Sequence, residues 1–210
     1  WLQTQLTADN CMLIPSIQGK YLFSANKLVC LANHLSVAQQ VKALASELIF
    51  LGQDEEQAVF VVDILPQEQE PLLSLLGPEC EFRDFRSSLH LLTPKEASVL
   101  AYGKSLSYWH SQHKFCGCCG RKSQAQDGGH MRKCTNESCH KEHFPRTDPV
   151  VIMLVEYQPR QGPKLCLLAE HHNIAKKVVS TLAGFVDPGE ALEEAVAREV
   201  YEEAGVKVDE

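Results

Sequence analysis

The first half of the chain alternates short apolar runs with polar breaks. Residues 21–23, 48–51 and 58–65 form the clearest runs, and Gly, Asp, Glu and Gln residues separate them. Short apolar runs bounded by such breaks are typical of strands joined by turns. We therefore expect a small α+β domain with a mainly antiparallel sheet from the start of the chain to about residue 92.

A helix is predicted next. Thr93 is a suitable N-cap, Pro94 suits the first helical position, and Glu96 stands where its side chain can reach back to the cap. The helical pattern continues to about Gln112 and leads into residues 115–148, which are rich in Cys, Gly, Lys and His and poor in aliphatic side chains. Such a segment buries little apolar surface, so we expect a bound metal to stabilise it.

The pattern changes again from residue 149. Apolar runs over residues 150–157, 164–170 and 178–182 predict three strands, and the first two are joined by a turn rich in Gly, Pro and Gln. Residues 190–204 contain strong helix formers without Gly or Pro, and Gly205 follows at a position typical of a helix C-terminus. We expect one helix there.

Composition limits the class of protein. The chain has 210 residues, 44% hydrophobic, and a formal net charge of -7, which argues against general attraction to nucleic-acid phosphates. No apolar run reaches about 18 residues, and the start lacks a basic segment followed by a hydrophobic one, so we expect a cytoplasmic protein without a membrane span. Because the chain begins at Trp1 and ends at Glu210, shortly after its most informative motif, we also expect a fragment.

Four of the nine cysteines form two close pairs, Cys116 with Cys119 and Cys134 with Cys139. Each pair can form a knuckle whose two thiolates point at one ion, and two knuckles make a tetrahedral four-cysteine zinc site. Such a closed site leaves no position for a reacting water. We therefore predict a structural zinc ribbon that stabilises the fold and has no part in catalysis.

Other ligand sets remain open at this point. Cys118 lies between two of the proposed ligands and is expected to point away, while His130, His140 or His143 can in principle replace a cysteine. The alternative to a metal site is a set of free thiols or an adventitious disulfide. The basic residues of the segment leave room for nucleic-acid binding, but a solvated charged surface is the favoured interpretation.

A second constellation lies on the last predicted helix. Because a helix advances about 100° per residue, Glu199, Glu202 and Glu203 share one face. Like charges this close repel each other, whereas a hard cation such as Mg²⁺ or Mn²⁺ binds carboxylates and substrate phosphates together. Arg198 stands four residues from both Glu194 and Glu202 and can hold a carboxylate as an ion pair. The alternative is an ordinary solvated Glu/Arg face.

The same helix completes a longer motif. Its pattern is G-x5-E-x7-R-E-U-x-E-E-x-G-U, where U is aliphatic, and all nine specified positions are filled, by Gly184, Glu190, Arg198, Glu199, Val200, Glu202, Glu203, Gly205 and Val206. With the Phe-Cys-Gly-Cys-Cys-Gly run at residues 115–120 and the His-Phe-Pro-Arg-Thr-Asp-Pro run at residues 143–149, the chain resembles the NADH pyrophosphatase family of Nudix hydrolases. The resemblance is firm over residues 105–210.

The resemblance implies an α+β protein in three parts. These are an N-terminal α+β domain with its linking helix at residues 1–105, the zinc ribbon at 106–148, and the first part of a Nudix α/β/α sandwich at 149–210. It also implies metal-dependent cleavage of the diphosphate of NAD(H) into nicotinamide mononucleotide and AMP, or removal of an NAD cap from RNA, by a homodimer. The family's diagnostic proline-rich stretch and the rest of the Nudix sheet lie downstream of the box. Because residues 149–210 alone leave a sheet with unpaired edges, a chain of this length is expected to be poorly folded or inactive in its last third.

Particular residues follow from matching motif to motif. The carbonyl of Ala183 and the three glutamates resemble ligands of a catalytic Mg²⁺ or Mn²⁺, with Arg198 beside them. Phe185 and Phe144 resemble an aromatic pair that sandwiches a base, although each can instead be a core residue. Arg86 resembles a substrate-contacting arginine.

Two other functions remain as alternatives. One is a Nudix hydrolase of another nucleoside diphosphate derivative such as ADP-ribose. The other is a zinc-ribbon module that binds nucleic acid and carries an inactive Nudix domain. The complete set of carboxylates in the box argues against inactivity.

Overall fold

The computed structural model describes residues 2–8, 10–170 and 178–208. The chain forms two compact units, residues 1–145 and 146–210. No helix in the described ranges combines the length and the apolar character that crossing a bilayer requires. Each unit is described below by itself.

The first unit contains a mixed sheet, helices on its faces and a small cysteine-rich sheet. Its elements are α1 (Leu2–Thr7), β1 (Met12–Ile17), β2 (Lys20–Ser24), β3 (Lys27–Leu28), β4 (Leu31–Ala32), α2 (Ser36–Ala43), β5 (Ala45–Asp54), β6 (Gln57–Ile64), α3 (Gln69–Leu76), β7 (Cys80–Asp84), α4 (Pro94–Gln112), β8 (Ser123–Gln126), β9 (Met131–Cys134) and β10 (Glu142–His143).

The large sheet has the order β3-β2-β1-β6-β5, with β4 also paired to β1 and β7 to β2. All of these pairs are antiparallel except β1 with β6, which run parallel. The predicted α+β class and the mainly antiparallel sheet are therefore confirmed. The parallel pair was not anticipated, because apolar runs reveal strands and not their directions.

Alternation along the central strands gives the sheet two buried faces. On β6, Phe60 and Val62 point into one core with Leu72 of α3, while Val61 between them points into the other with Leu100 of α4. Successive side chains of a strand point to opposite faces, so a strand covered on both sides is continuously apolar. This explains the apolar run at residues 58–65, which is interrupted only by Asp63.

Helix α4 begins as the sequence predicts. Thr93 accepts a hydrogen bond from the backbone N–H of Glu96 at 3.3 Å, and the Glu96 carboxylate accepts one from the backbone N–H of Thr93 at 2.8 Å. This reciprocal capping box stabilises the first turn of the helix. The helix ends at Gln112, as expected.

The second unit is smaller. Its elements are β11 (Val150–Met153), β12 (Glu156–Tyr157), β13 (Leu165–Cys166), β14 (Ala169–Glu170), β15 (Val179–Ser180), β16 (Leu182–Phe185) and α5 (Leu192–Ala204). Three antiparallel pairs form, β11 with β16, β12 with β13 and β14 with β15.

The strands of this unit are shorter than predicted. The expected strand at residues 150–157 is divided into β11 and β12, and the one at 164–170 into β13 and β14. Apolar runs continue across both breaks, so the sequence pattern conceals them. The predicted turn at residues 158–163 does join β12 to β13.

Candidate active site

Helix α5 and strand β16 are held together by a small core. Ala195 and Val200 of the helix are buried with Val151 and Met153 of β11 and Leu182 of β16. The apolar residues of α5 thus face the β11–β16 pair, and the polar residues between them remain at the surface. This packing positions the helix against residues 182–185 of strand β16.

A tight loop connects the strand to the helix. Gly189 has φ +96°, a conformation that favours glycine, and the N–H of Glu190 donates to the carbonyl of Asp187 at 3.0 Å. The Glu190 carboxylate in turn accepts from the N–H of Asp187 at 2.9 Å. The helix therefore begins at Leu192 rather than at residue 190, and the predicted start is wrong by two residues.

Arg198 connects this loop to the helix. Its guanidinium donates to both carboxylate oxygens of Glu190, at 2.7 and 2.9 Å, and to the carbonyl of Phe185 at 2.9 Å. It also donates to Glu199 at 2.9 Å and lies 3.6 Å from Glu202. A bidentate arginine–carboxylate pair of this kind has a defined geometry, so loop, strand end and helix are fixed to one another.

The charges at this junction reinforce each other. The Arg198 guanidinium, together with the N–H of Asp187, lowers the pKa of Glu190 to about 2. The same contacts, first with Glu190 and then with Glu199, raise the pKa of Arg198. Glu190 is consequently ionised at every pH at which the protein is expected to work.

Of the two glutamates four residues from Arg198, Glu202 lies within ion-pair distance at 3.6 Å, whereas Glu194 accepts a hydrogen bond from the N–H of Ala191 at 2.8 Å and so supports the helix start. Sequence reasoning missed Glu190 as the main partner. Its separation of eight residues from Arg198 does not correspond to neighbours on a helix, and only the loop fold brings the two together.

Glu199 lies directly against strand β16. Its side chain is 15% exposed, and a Cβ placed on Gly184 would overlap its carboxyl group. Ala183, whose carbonyl was predicted as a metal ligand, precedes this glycine. The structure therefore places a carboxylate and the strand backbone in direct contact, an arrangement that suits a hard cation with oxygen ligands.

The other two carboxylates lie further along the same helix. Glu202 is 59% exposed and Glu203 is also exposed. In the described part of the chain, the three glutamates do not form a cluster with ligand atoms as close as those of the cysteine site. The residues offer the right donors for a divalent ion, and Glu199 is the one whose position the packing defines.

A cavity of about 600 Å³ opens beside this junction, within the second unit. It is lined by residues 146–149 and 185–190, which include Phe185 and Arg146. The Phe185 ring is 64% exposed, so it is not a core residue. Arg146 was not singled out from the sequence, although it belongs to the run at residues 143–149. It gives the cavity a cation suited to a phosphate.

Two other predicted substrate residues belong to the first unit. Phe144 is 59% exposed and follows strand β10, so its ring is also outside the core. Arg86 is exposed in the turn after β7, where its backbone N–H donates a hydrogen bond to the carboxylate of Asp84 at 2.9 Å. Both side chains are accessible to a ligand or a partner.

The four predicted zinc ligands come together. The sulfur atoms of Cys116, Cys119, Cys134 and Cys139 all lie within 4.8 Å of one another, with 3.8 Å between Cys116 and Cys139 and 3.4 Å between Cys119 and Cys134. Zinc–sulfur bonds of about 2.3 Å in a tetrahedron require sulfur separations of about 3.8 Å. The residues therefore fit a four-coordinate metal ion.

Backbone N–H groups favour the thiolate form of Cys116 and Cys119, whose pKa values are lowered, whereas burial and the neighbouring thiols raise the pKa values of Cys134 and Cys139. The N–H of Cys118 points to the sulfur of Cys116, and the N–H of Asn136 to that of Cys134, each at 3.4 Å. A hydrogen bond from the N–H of Arg121, followed by the contact with Cys134, lowers the pKa of Cys119 to about 6. A thiolate is the form that binds a metal.

Other cysteines and histidines bear on the choice of metal ligands. Cys118 is exposed, and all nine cysteines, each in a described segment, carry free thiols, so no disulfide competes with the metal. His143 lies 3.4 Å from the sulfur of Cys116, whereas His130 is bonded to the carbonyl of Phe50 at 2.6 Å.

A buried arginine fastens the ribbon to the large sheet. Arg132 of β9 is 5% exposed, forms an ion pair with Glu47 of β5 and lies 2.7 Å from Nδ1 of His110 in α4. Nε2 of His110 is 2.8 Å from the carbonyl of Gly129. When Nε2 donates to that carbonyl, Nδ1 accepts a hydrogen bond from the arginine, so both ring nitrogens of His110 are paired.

Two family models match the chain. The model of the NADH pyrophosphatase-like rudimentary Nudix domain matches residues 8–109, and that of the Nudix domain matches residues 146–210. The chain therefore belongs to the Nudix family. Within that family it is NADH pyrophosphatase-like, because a rudimentary domain of that type precedes its Nudix domain. The predicted family is confirmed.

Curated relatives agree with this assignment. The chain is 44% identical to the NAD-capped RNA hydrolase NUDT12 of Macaca fascicularis over 77% of this chain and 40% of the relative. It is 39% identical to the NAD-capped RNA hydrolase NudC of Stutzerimonas stutzeri, over 74% and 61% respectively. It is 32% identical to the human mitochondrial NAD(P)H pyrophosphatase NUDT13, over 94% and 56%. The chain thus spans about half the length of these relatives.

Proposed function

We propose that the protein to which this chain belongs hydrolyses the diphosphate of NAD(H), free or as the cap of an RNA. Water attacks one of the two phosphorus atoms and the bridging P–O bond breaks. The products are AMP and nicotinamide mononucleotide, which is reduced when NADH is the substrate. From capped RNA they are nicotinamide mononucleotide and an RNA that begins with adenosine 5′-monophosphate. The observation that carries the proposal is that the Glu199 carboxylate lies against Gly184 and accepts a hydrogen bond from Arg198. The names of the three relatives support the choice of substrate.

The chain's own residues have separate roles in this proposal. The Ala183 carbonyl, Glu199, Glu202 and Glu203 would hold Mg²⁺ or Mn²⁺. When bound there, the ion polarises a phosphoryl oxygen and lowers the pKa of a coordinated water. Arg198 holds Glu199 and the loop in fixed positions relative to each other through its contacts with four partners.

The cavity beside the loop would receive the dinucleotide. Arg146 faces it as a counter-charge for the diphosphate, and the exposed Phe185 ring offers a surface for a base. The exposure of Phe144 is consistent with a second stacking ring supplied by the other protomer of a homodimer. The four cysteines would hold a structural Zn²⁺ that takes no part in the reaction.

The test uses the full-length protein with Mg²⁺ or Mn²⁺. Products from NADH, NAD-capped RNA and ADP-ribose are identified by mass spectrometry, and reaction in ¹⁸O-labelled water shows which phosphorus is attacked. We expect reduced nicotinamide mononucleotide and AMP from NADH, one ¹⁸O per cleavage, and slower turnover of ADP-ribose. Equal or faster turnover of ADP-ribose would overturn the substrate assignment. RNA binding without any cleavage would instead indicate an inactive binding module.

A further inference from the structure

A second cavity, of about 450 Å³, lies in the first unit, and it is lined in part by residues that follow strands β1 and β6. These two strands are the parallel pair of the sheet, so their carboxyl ends meet at the same edge. Gln18 and Gly19 follow β1 there, and Leu65 and Pro66 follow β6. The carboxyl ends of neighbouring parallel strands are a common place for ligands in sheets covered by helices.

One face of helix α4 covers the cavity. Lys104, Ser107, Tyr108 and Ser111 all line it. Their spacing of three and four residues places them on the same side of the helix. The cavity is therefore formed by rigid elements, a sheet edge on one side and a long capped helix on the other.

Two groups on its wall lack a partner. Among the described residues, four buried side-chain atoms have no hydrogen bond, and two of these line the cavity, Oδ1 of Asp63 and Oγ of Ser107. Ser107 is 4% exposed. A buried carboxylate or hydroxyl oxygen without a partner is unfavourable, so two on one wall indicate groups that a ligand satisfies.

The cavity carries charges of both signs. Asp63 supplies a carboxylate, and Lys114 supplies a cation that interacts electrostatically with it. Lys104 is engaged elsewhere, because its ammonium group is 3.4 Å from Asp84 and its stem lies against Gly19. Leu65 and Tyr108 add an apolar and an aromatic surface.

We propose that this cavity binds a mononucleotide whose base carries an amino group, with the base donating to Asp63 and the phosphate facing Lys114. The volume lies within the range of about 300–1,000 Å³ that is usual for small-molecule sites. Carboxylates accept hydrogen bonds from the amino groups of bases, lysine binds phosphate, and an aromatic side chain offers a stacking surface. Apart from Ser111 and Lys114, its lining residues lie within the rudimentary Nudix domain at residues 8–109, and the proposal does not depend on the function proposed above.

The test is isothermal titration of the zinc-loaded full-length protein with GMP at pH 8, where Asp63 is ionised, in buffer without divalent cations, so that binding at the carboxylates of helix α5 is suppressed. Guanine offers an amino group beside a ring N–H, whereas uracil offers one N–H between two carbonyls. We expect GMP to bind at least about tenfold more tightly than UMP or ribose 5-phosphate. Equal binding of ribose 5-phosphate would overturn the proposal, as would no binding of GMP at millimolar concentration.

Variants locate the site. Asp63→Asn and Lys114→Met should each weaken GMP binding about tenfold or more. Asp54→Asn is the matched control, since Asp54 pairs with Lys95 outside the cavity and its loss should leave binding unchanged. Zinc content and melting temperature show whether each variant is folded. Unchanged binding in a folded Asp63→Asn variant and in Lys114→Met would assign the GMP to another site.

Discussion

Arg198 and Glu190 form a bidentate ion pair, 2.7 and 2.9 Å long, between the middle of helix α5 and the loop that precedes it. The same guanidinium contacts Glu199, the carboxylate that lies against strand β16. The position of Glu199 is therefore set both by packing against strand β16 and by an arginine that is itself held by the loop.

This relationship predicts the effect of Arg198→Lys. Lysine keeps the charge but cannot bind Glu190 through two parallel hydrogen bonds while also reaching Glu199. We expect kcat/KM for NADH in the full-length protein to fall about 10- to 100-fold, the range typical for residues that orient metal ligands. Arg160→Lys, in the exposed turn of the same unit, is the control and should have no effect. Full activity in Arg198→Lys would show that the bidentate contact is dispensable.

Gly184→Ala should disturb the site by a steric route. The backbone of Gly184 does not have a positive φ, so the added methyl group matters only because it overlaps the Glu199 carboxyl. We expect affinity for Mn²⁺ to fall about tenfold or more, with a loss of stability of roughly 1–3 kcal/mol. Gly117→Ala meets open space and should leave both quantities unchanged. Mn²⁺ binding measured by electron paramagnetic resonance, together with thermal unfolding, checks this prediction.

The cysteine cluster predicts a metal-dependent fold of the first unit. Cys119→Ser removes one of four converging ligands, so we expect zinc content to fall well below one ion per chain and the melting temperature to drop by about 10 °C or more. Cys118→Ser removes the exposed neighbouring thiol and should change neither. Equal zinc content in the two variants would contradict the four-cysteine assignment.

Asp63 predicts a dependence of stability on pH. Burial, reinforced by the charge of Glu47 and opposed by Ser16 and Lys114, raises the pKa of Asp63 to about 7. The folded state therefore holds a proton that the unfolded state releases near pH 4, so this group's contribution to stability is full below pH 4. It is lost as the pH rises to about 7, by up to about 4 kcal/mol.

Asp63→Asn should remove this slope. Denaturant unfolding between pH 4 and pH 8 measures it, with Asp54→Asn as the exposed control. An identical decline in the Asp63→Asn variant would show that other groups cause it.

Local signals in the sequence predicted much of the site and less of the fold. The capping box at Thr93 and Glu96 and the four cysteines need only short-range spacing, and both have the expected geometry. The pairing of Arg198 with Glu190 depends on how a loop folds back, which periodicity does not encode. The parallel direction of β1 and β6, and with it the cavity at Asp63, depends on connections across the whole first unit.

The most direct test of the central proposal is a Mn²⁺ titration of the folded full-length protein by electron paramagnetic resonance. We expect binding that Glu199→Gln, Glu202→Gln and Glu203→Gln each weaken about tenfold or more, while Glu193→Gln, an exposed neutralisation in the first turn of the same helix, leaves it unchanged. Mn²⁺ affinity that is insensitive to all three substitutions would contradict the assignment of these carboxylates as the metal site.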